Sequence, residues 1–220
     1  MAGSPLVLVH GGLYEDVDAA SFWGRTGIGA GLRAMGFSVH APARPSAPRS
    51  WEEERDALLM AISSRTSDPV AMVAASNGCS VALRAVLDMP GVARALVLCW
   101  PATAGDEAID ASARERIIPI AGGATADRLL AGQIIRGVLD DELEHIGIPV
   151  AIVPSEADDA FHQRSTVQGL YRHLPQVTIL EPAPPALRSN FRHYRARFIA
   201  NVAATISGER VADWSDWRVE

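Results

Sequence analysis

Residues 70–84 read Val70-Ala71-Met72-Val73-Ala74-Ala75-Ser76-Asn77-Gly78-Cys79-Ser80-Val81-Ala82-Leu83-Arg84. An unbroken apolar run leads into Ser76, and a helix-forming run begins directly behind it. A continuous apolar run suits a parallel strand buried on both faces. The residues two before and two after the serine are Ala74 and Gly78. A strand that turns sharply into a helix needs small side chains there, because bulkier ones would strike the neighbouring strand and helix. Such a turn lifts the Ser76 hydroxyl above the carboxyl end of its strand. The new helix aims its unpaired N–H groups and positive dipole end at the same place. This is an arrangement for a nucleophile; a plain N-cap is the competing reading of Ser76.

Outward from this stretch, five more short apolar runs read as strands: Leu6–His10, Phe37–Ala41, Ala95–Trp100, Val150–Val153 and Val177–Leu180. Helical patterns alternate with them at Gly29–Met35, Trp51–Ser63, Gly78–Met89, Ser165–Leu174 and Phe191–Ile206. Ser50 and Glu53 have capping-box spacing at the start of the second helix. Strand–helix alternation over the whole length predicts an α/β chain with a mostly parallel central sheet flanked by helices. Residues 1–220 read as a single domain. The segment 102–148 is too long for an ordinary crossover and reads as a helical lid, with helices over Glu107–Arg116 and Ala126–His145. Ile117, Ile118, Leu129, Leu130, Ile134 and Ile135 give that segment an apolar surface and hint at a partly apolar small molecule as substrate.

Composition removes whole classes of chemistry. The 220 residues are 48% hydrophobic and 21% charged, with mean hydropathy +0.09, so the chain can bury a core. Net charge is −6 and no basic run appears, which argues against nucleic acid or an anionic membrane as partner. All 20 basic residues other than histidine are arginine, which excludes a Schiff-base lysine and a phosphate-binding loop with its lysine. Cys79 and Cys99 form no CxxC pair, and the six histidines show no metal-ligand spacing, so no metal and no cofactor are expected. The start of the chain lacks a signal-peptide pattern and no stretch reaches membrane-spanning length; a cytoplasmic protein with reduced thiols is expected, as a monomer or a homo-oligomer. Gly27-Ile-Gly-Ala-Gly31 matches a dinucleotide fingerprint only superficially, since Leu32 stands where the third glycine belongs.

A second motif is Leu6-Val-Leu-Val-His-Gly-Gly-Leu13, a strand running into His10-Gly-Gly. Acyl transfer generates an oxyanion that preorganised N–H donors must hold. The expected donors are Asn77, next after the serine, and Gly12 or Leu13. His10 itself reads as a loop-shaping residue.

Together these features resemble the α/β-hydrolase superfamily. The resemblance spans nearly the whole chain: His10-Gly-Gly, the Ser76 turn, Ala95–Trp100 with Pro101-Ala-Thr, the lid, and Pro149-Val-Ala-Ile-Val with Ser155-Glu-Ala-Asp158. It implies a Ser-His-Asp hydrolase acting on an ester, thioester, lactone or related acyl bond. The family's carboxylate follows the penultimate strand and matches Asp158, with Asp159 and Glu156 as alternatives. The family's histidine follows the last strand, where this chain has Glu181-Pro-Ala-Pro-Pro185 and no histidine. The candidates are His193, preferred because it follows the last strand, and His162, four residues after Asp158. A lyase on the same fold, or a binding protein without a working triad, is the alternative that the missing histidine supports.

Overall fold

A computed structural model describes residues 3–157 and 159–215. Six strands form one sheet: β1 (Ser4–Val9), β2 (Phe37–His40), β3 (Val70–Ser76), β4 (Ala93–Pro101), β5 (Val150–Val153) and β6 (Val177–Ile179). Their order across the sheet is β2-β1-β3-β4-β5-β6, and every pairing is parallel.

The continuous apolar runs are explained by burial on both faces. Along β3, Met72 and Ala74 join the cluster on one face, while Ala71, Val73 and Ala75 join the other. Helices α2 (Trp51–Ser63), α3 (Gly78–Asp88) and α6 (Arg164–His173) pack on the first face. Helices α1 (Ile28–Ala34) and α7 (Arg195–Ile206) pack on the second. There Trp100 stacks on Phe198 at 5.3 Å between ring centroids, with Phe191 edge-on to both. At the start of α2, Ser50 Oγ accepts the Glu53 N–H, and the Glu53 carboxylate accepts the N–H of Arg49 rather than that of Ser50.

Between β4 and β5 lie α4 (Glu107–Ala121) and α5 (Gly123–Leu130). The long helix expected over Ala126–His145 does not form. It stops at Ala131, whose backbone is extended, and the chain then closes a loop in which Gly137 N–H donates to the Ala131 carbonyl. Gly132 permits this with φ of +132°; a Cβ there would sit 2.3 Å from the Ile135 carbonyl oxygen. In the sequence Asp213-Trp-Ser-Asp-Trp217 near the end of the chain, Asp213 and Trp214 bond the backbone of Ile179, so this part of it docks on β6. Trp217 lies outside the described residues. Among the described residues, no helix is long and apolar enough to cross a membrane.

The chain runs from β1 outward to β2, then crosses back over β1 to β3. That reversal opens a crevice at the carboxyl ends of β1 and β3, the place where parallel sheets bind ligands. The loop at residues 10–12 leaves one of these strands, and Ser76 ends the other.

Candidate active site

Ser76 sits at φ of +50°, a left-handed conformation costly for a residue with a Cβ. Close packing holds it there. A Cβ at Gly78 would lie 2.5 Å from the His10 carbonyl oxygen and 2.7 Å from that of Val9, so only glycine lets α3 start this close to β1. A Cβ at Gly11 would lie 2.8 Å from the Ser76 Cβ, so the loop after β1 is pressed against the serine.

His162 Nε2 stands 3.2 Å from Ser76 Oγ. Its Nδ1 faces the Asp159 carboxylate, 3.2 Å from Oδ1 and 3.3 Å from Oδ2. The pair is assembled locally. Asp159 Oδ1 also accepts the backbone N–H groups of Phe161 and His162, each at 2.9 Å. An aspartate that bonds the backbone just ahead of it makes a tight turn, and here the turn swings the ring at position 162 back over the carboxylate. Burial pushes the Asp159 carboxyl up, but His162 and the two N–H donors outweigh it and hold the group below its usual range. Thr103, at the exit of β4, clamps this loop: its N–H donates to the Phe161 carbonyl and its Oγ1 accepts the Gln163 N–H at 2.9 Å.

His193, the histidine preferred from the sequence, stands elsewhere. The proline-rich segment does not arch over the sheet. It extends alongside the end of β5, where Ala183 bridges Ser155 and its carbonyl accepts the Trp100 indole N–H at 2.7 Å. Phe191 is then buried against Trp100, which leaves His193 exposed with Arg192 as its hydrogen-bond partner. Asp158 lies outside the described residues. Glu156 bonds the Tyr194 hydroxyl.

Of the expected oxyanion donors, Asn77 caps α3 directly after Ser76, with its side chain buried. Gly12, at φ of +89°, and buried Leu13 belong to the loop after β1. They line a second cavity, which shares Glu15 with the cavity at Ser76. The orientation of this loop is set by a residue the sequence reading missed. Arg44 Nη1 donates to the carbonyls of His10, Gly11 and Gly12 at 2.7, 3.0 and 3.0 Å. Its other edge forms a bidentate pair with Glu54, which is 1% exposed. The peptides of this loop are trans, so carbonyls drawn to Arg44 send the N–H groups of Gly11, Gly12 and Leu13 the opposite way. No local pattern marks Arg44 or Glu54; their signal exists only in three dimensions.

The cavity at Ser76 has a volume of about 270 Å³ and includes Asn77, Ile109, Ala113, Arg116, Arg136 and Phe161 in its wall. The lid's apolar residues are used differently from the sequence expectation. Ile117, Leu129, Leu130 and Ile135 are buried in the core, Ile134 packs against it, Ile118 is 46% exposed, and none lines this cavity. Cys79 and Cys99 are fully buried, and desolvation pushes both thiols far up, which makes them inert packing groups. Among the described residues, no group of three or more His, Cys, Asp or Glu side chains is placed to hold a metal ion.

No family model matches the sequence, and no curated protein matches it. Solved structures do match. An α/β hydrolase enzyme, MGS-MChE2, from the metagenome of lagoon sediments of Mar Chica, Morocco, superposes with a TM-score of 0.66 at 17% identity, covering 93% of this chain and 92% of that one. The chain has the α/β-hydrolase fold. Carboxylesterase CesB from Bacillus subtilis superposes with a TM-score of 0.65 at 17% identity over 94% of this chain and 85% of that one. A meta-cleavage product hydrolase, CumD from Pseudomonas fluorescens IP01, gives 0.69 at 17% identity over 94% and 91%. The α/β-hydrolase fold hosts more than one chemistry, so the reaction has to be argued from the site.

Proposed function

We propose that this protein is a serine hydrolase that cleaves an ester, thioester, lactone or related acyl bond of a small molecule. The observation that carries the proposal is the line of contacts from Ser76 Oγ through His162 to Asp159. Asp159 favours the imidazole tautomer with its proton on Nδ1, which leaves the Nε2 lone pair for the Ser76 hydroxyl. A 3.2 Å contact is long for a working bond, and such bonds tighten when substrate arrives.

In the first half-reaction Ser76 Oγ bonds to the substrate carbonyl carbon and its proton passes to His162 Nε2. The carbonyl oxygen becomes an oxyanion, for which the N–H groups of Asn77 and of Gly12 or Leu13 are the donors. The packing of Gly11 against the Ser76 Cβ, which sets this loop beside the nucleophile, supports that role. Collapse breaks the bond to the leaving group, which takes the proton from His162. Water then repeats the attack on the acyl-enzyme, releasing the acid and restoring Ser76. His193 has no part in this scheme.

The test is labelling of the purified protein with a fluorophosphonate, read by intact mass. Stoichiometric labelling that disappears in Ser76→Ala is the expected result. A folded protein that takes no label would overturn the proposal and favour a lyase or a binding protein on the same fold.

A further inference from the structure

One side of α4 serves the site twice. Positions 106, 109, 110 and 113 are three and four residues apart, so they share one face of the helix and its N-cap. Ile109 and Ala113 line the Ser76 cavity. Asp106 and Asp110 each hold a side chain that reaches the residue next to the base or next to the nucleophile. Asp106 Oδ1 caps α4 by accepting the N–H groups of Ala108 and Ile109, each at 3.1 Å. Its Oδ2 accepts from Gln163 Nε2 at 3.0 Å, and Gln163 directly follows His162. One turn further on, Asp110 Oδ1 accepts from Arg136 Nη2 at 2.8 Å. Arg136 Nη1 in turn donates to Asn77 Oδ1 at 3.0 Å, and Asn77 directly follows Ser76.

The direction of each link is fixed by chemistry, because a carboxylate only accepts and a guanidinium only donates. Arg136 is 4% exposed, and its loop is anchored to the body of the protein. Ile135 and Val138 beside it are buried, and a Cβ at Gly137 would lie 2.3 Å from the Trp51 ring. A buried ion pair is weak evidence for stability, since apolar side chains of similar volume often serve as well. What an apolar side chain could not supply at position 136 is a directed bond to Asn77.

We infer that Gln163 and Arg136 are positioning residues, held by Asp106 and Asp110, through which α4 fixes the His162 loop and the Asn77 turn relative to each other. This rests on the serine-hydrolase reading. Neither residue touches the reacting atoms in that scheme. Gln163 acts on the loop that carries the base, and Arg136 acts on the turn whose N–H is the proposed oxyanion donor. Both are tied to a single helix face, so the spacing between base and donor follows from the seating of α4.

The experiment measures the rate constant of fluorophosphonate labelling, with kcat and KM for 4-nitrophenyl butyrate beside it. Gln163→Met and Arg136→Met are each expected to label about 10- to 100-fold more slowly, the scale on which remote misplacement of reacting groups acts. Both are expected to lower kcat with little change in KM, the mark of a loss felt in the transition state. A polarity swap adds a rescue. Gln163→Glu sets a second carboxylate against Asp106 and is expected to label slowly. Adding Asp106→Asn keeps a good N-cap and offers an amide N–H to the new carboxylate, and is expected to restore most of the lost rate. Labelling rates unchanged in both methionine variants, or a swap as slow as Gln163→Glu alone, would overturn the inference. Hydrogen–deuterium exchange of residues 76–79 and 159–163 needs no chemistry. It is expected to quicken at 76–79 in Arg136→Met and at 159–163 in Gln163→Met. These changes in a protein whose wild type takes no label would remove the serine-hydrolase reading and leave the two ties to α4 standing. Normal labelling with exchange unchanged in both variants would remove the positioning role alone.

Discussion

Replacing Arg44 with methionine is expected to weaken both the fold and the reactivity of Ser76, by separable routes. Arg44 is 6% exposed and Glu54 1% exposed, and the two share bonds of 2.7 and 3.0 Å. Removing the cation leaves a carboxylate buried without a partner. Breaking a buried pair in this way costs about 3–5 kcal/mol. The carbonyls of residues 10–12 lose their donor in the same step, which pushes the cost toward the upper end. For a chain of this size the loss corresponds to a fall of roughly 6–20 °C in melting temperature. Urea unfolding with unchanged slope gives the free energy directly. The double variant Arg44→Met with Glu54→Leu removes the stranded charge as well and is expected to be more stable than Arg44→Met alone. It restores nothing to the loop after β1, so its fluorophosphonate labelling stays slow. Loss of one oxyanion donor typically costs about 100- to 1000-fold. A cost below about 1 kcal/mol for Arg44→Met, or recovery of both stability and labelling in the double variant, would refute the reasoning.

Other substitutions probe the same region. Gly78→Ala drives a Cβ into two backbone carbonyls and is expected to cost about 1–3 kcal/mol in urea unfolding, with slower labelling of Ser76 because α3 is forced away from β1. Thr103→Val keeps the shape but strands the Gln163 N–H; a loss of about 1–3 kcal/mol with slower labelling is expected, whereas loss of stability alone would show that the clamp does not position His162. His10 gives a pH dependence. Burial, and then the charge of Arg44, hold its pKa below the ordinary 6.5, so the unfolded chain takes up a proton that the folded protein refuses. Stability therefore falls as pH drops through 6.5 toward the lowered folded value. Melting temperatures measured from about pH 7.5 to 5.5 are expected to fall less steeply in His10→Gln, and equal slopes would exclude His10 as the cause.

The strands were legible because a parallel sheet buried on both faces leaves no polar alternation to confuse the reading. Val70–Ala75 and Val150–Val153 are continuous apolar runs for that reason. The Ser76 turn was legible because its small neighbours answer a local steric demand. The histidine was not. Its approach to Ser76 depends on a local aspartate turn at Asp159 and on a proline-rich segment that stays beside β5. The local trace is an aspartate three residues before a histidine, whereas the resemblance points to a histidine after the last strand. The helix expected over Ala126–His145 failed at Gly132, whose positive φ no periodicity reveals. Arg44 and Arg136 act through partners 10 and 59 residues away in sequence, which no local pattern encodes.

The most direct measurement is the rate constant of fluorophosphonate labelling of Ser76 in His162→Ala and in His193→Ala, with Asp159→Asn and Asp158→Asn beside them. His162→Ala is expected to label about 100- to 10,000-fold more slowly, the usual worth of a general base, and Asp159→Asn to be slowed as well. His193→Ala and Asp158→Asn should keep the wild-type rate. Slow labelling in His193→Ala with a normal rate in His162→Ala would contradict the assignment of His162 as the base that activates Ser76.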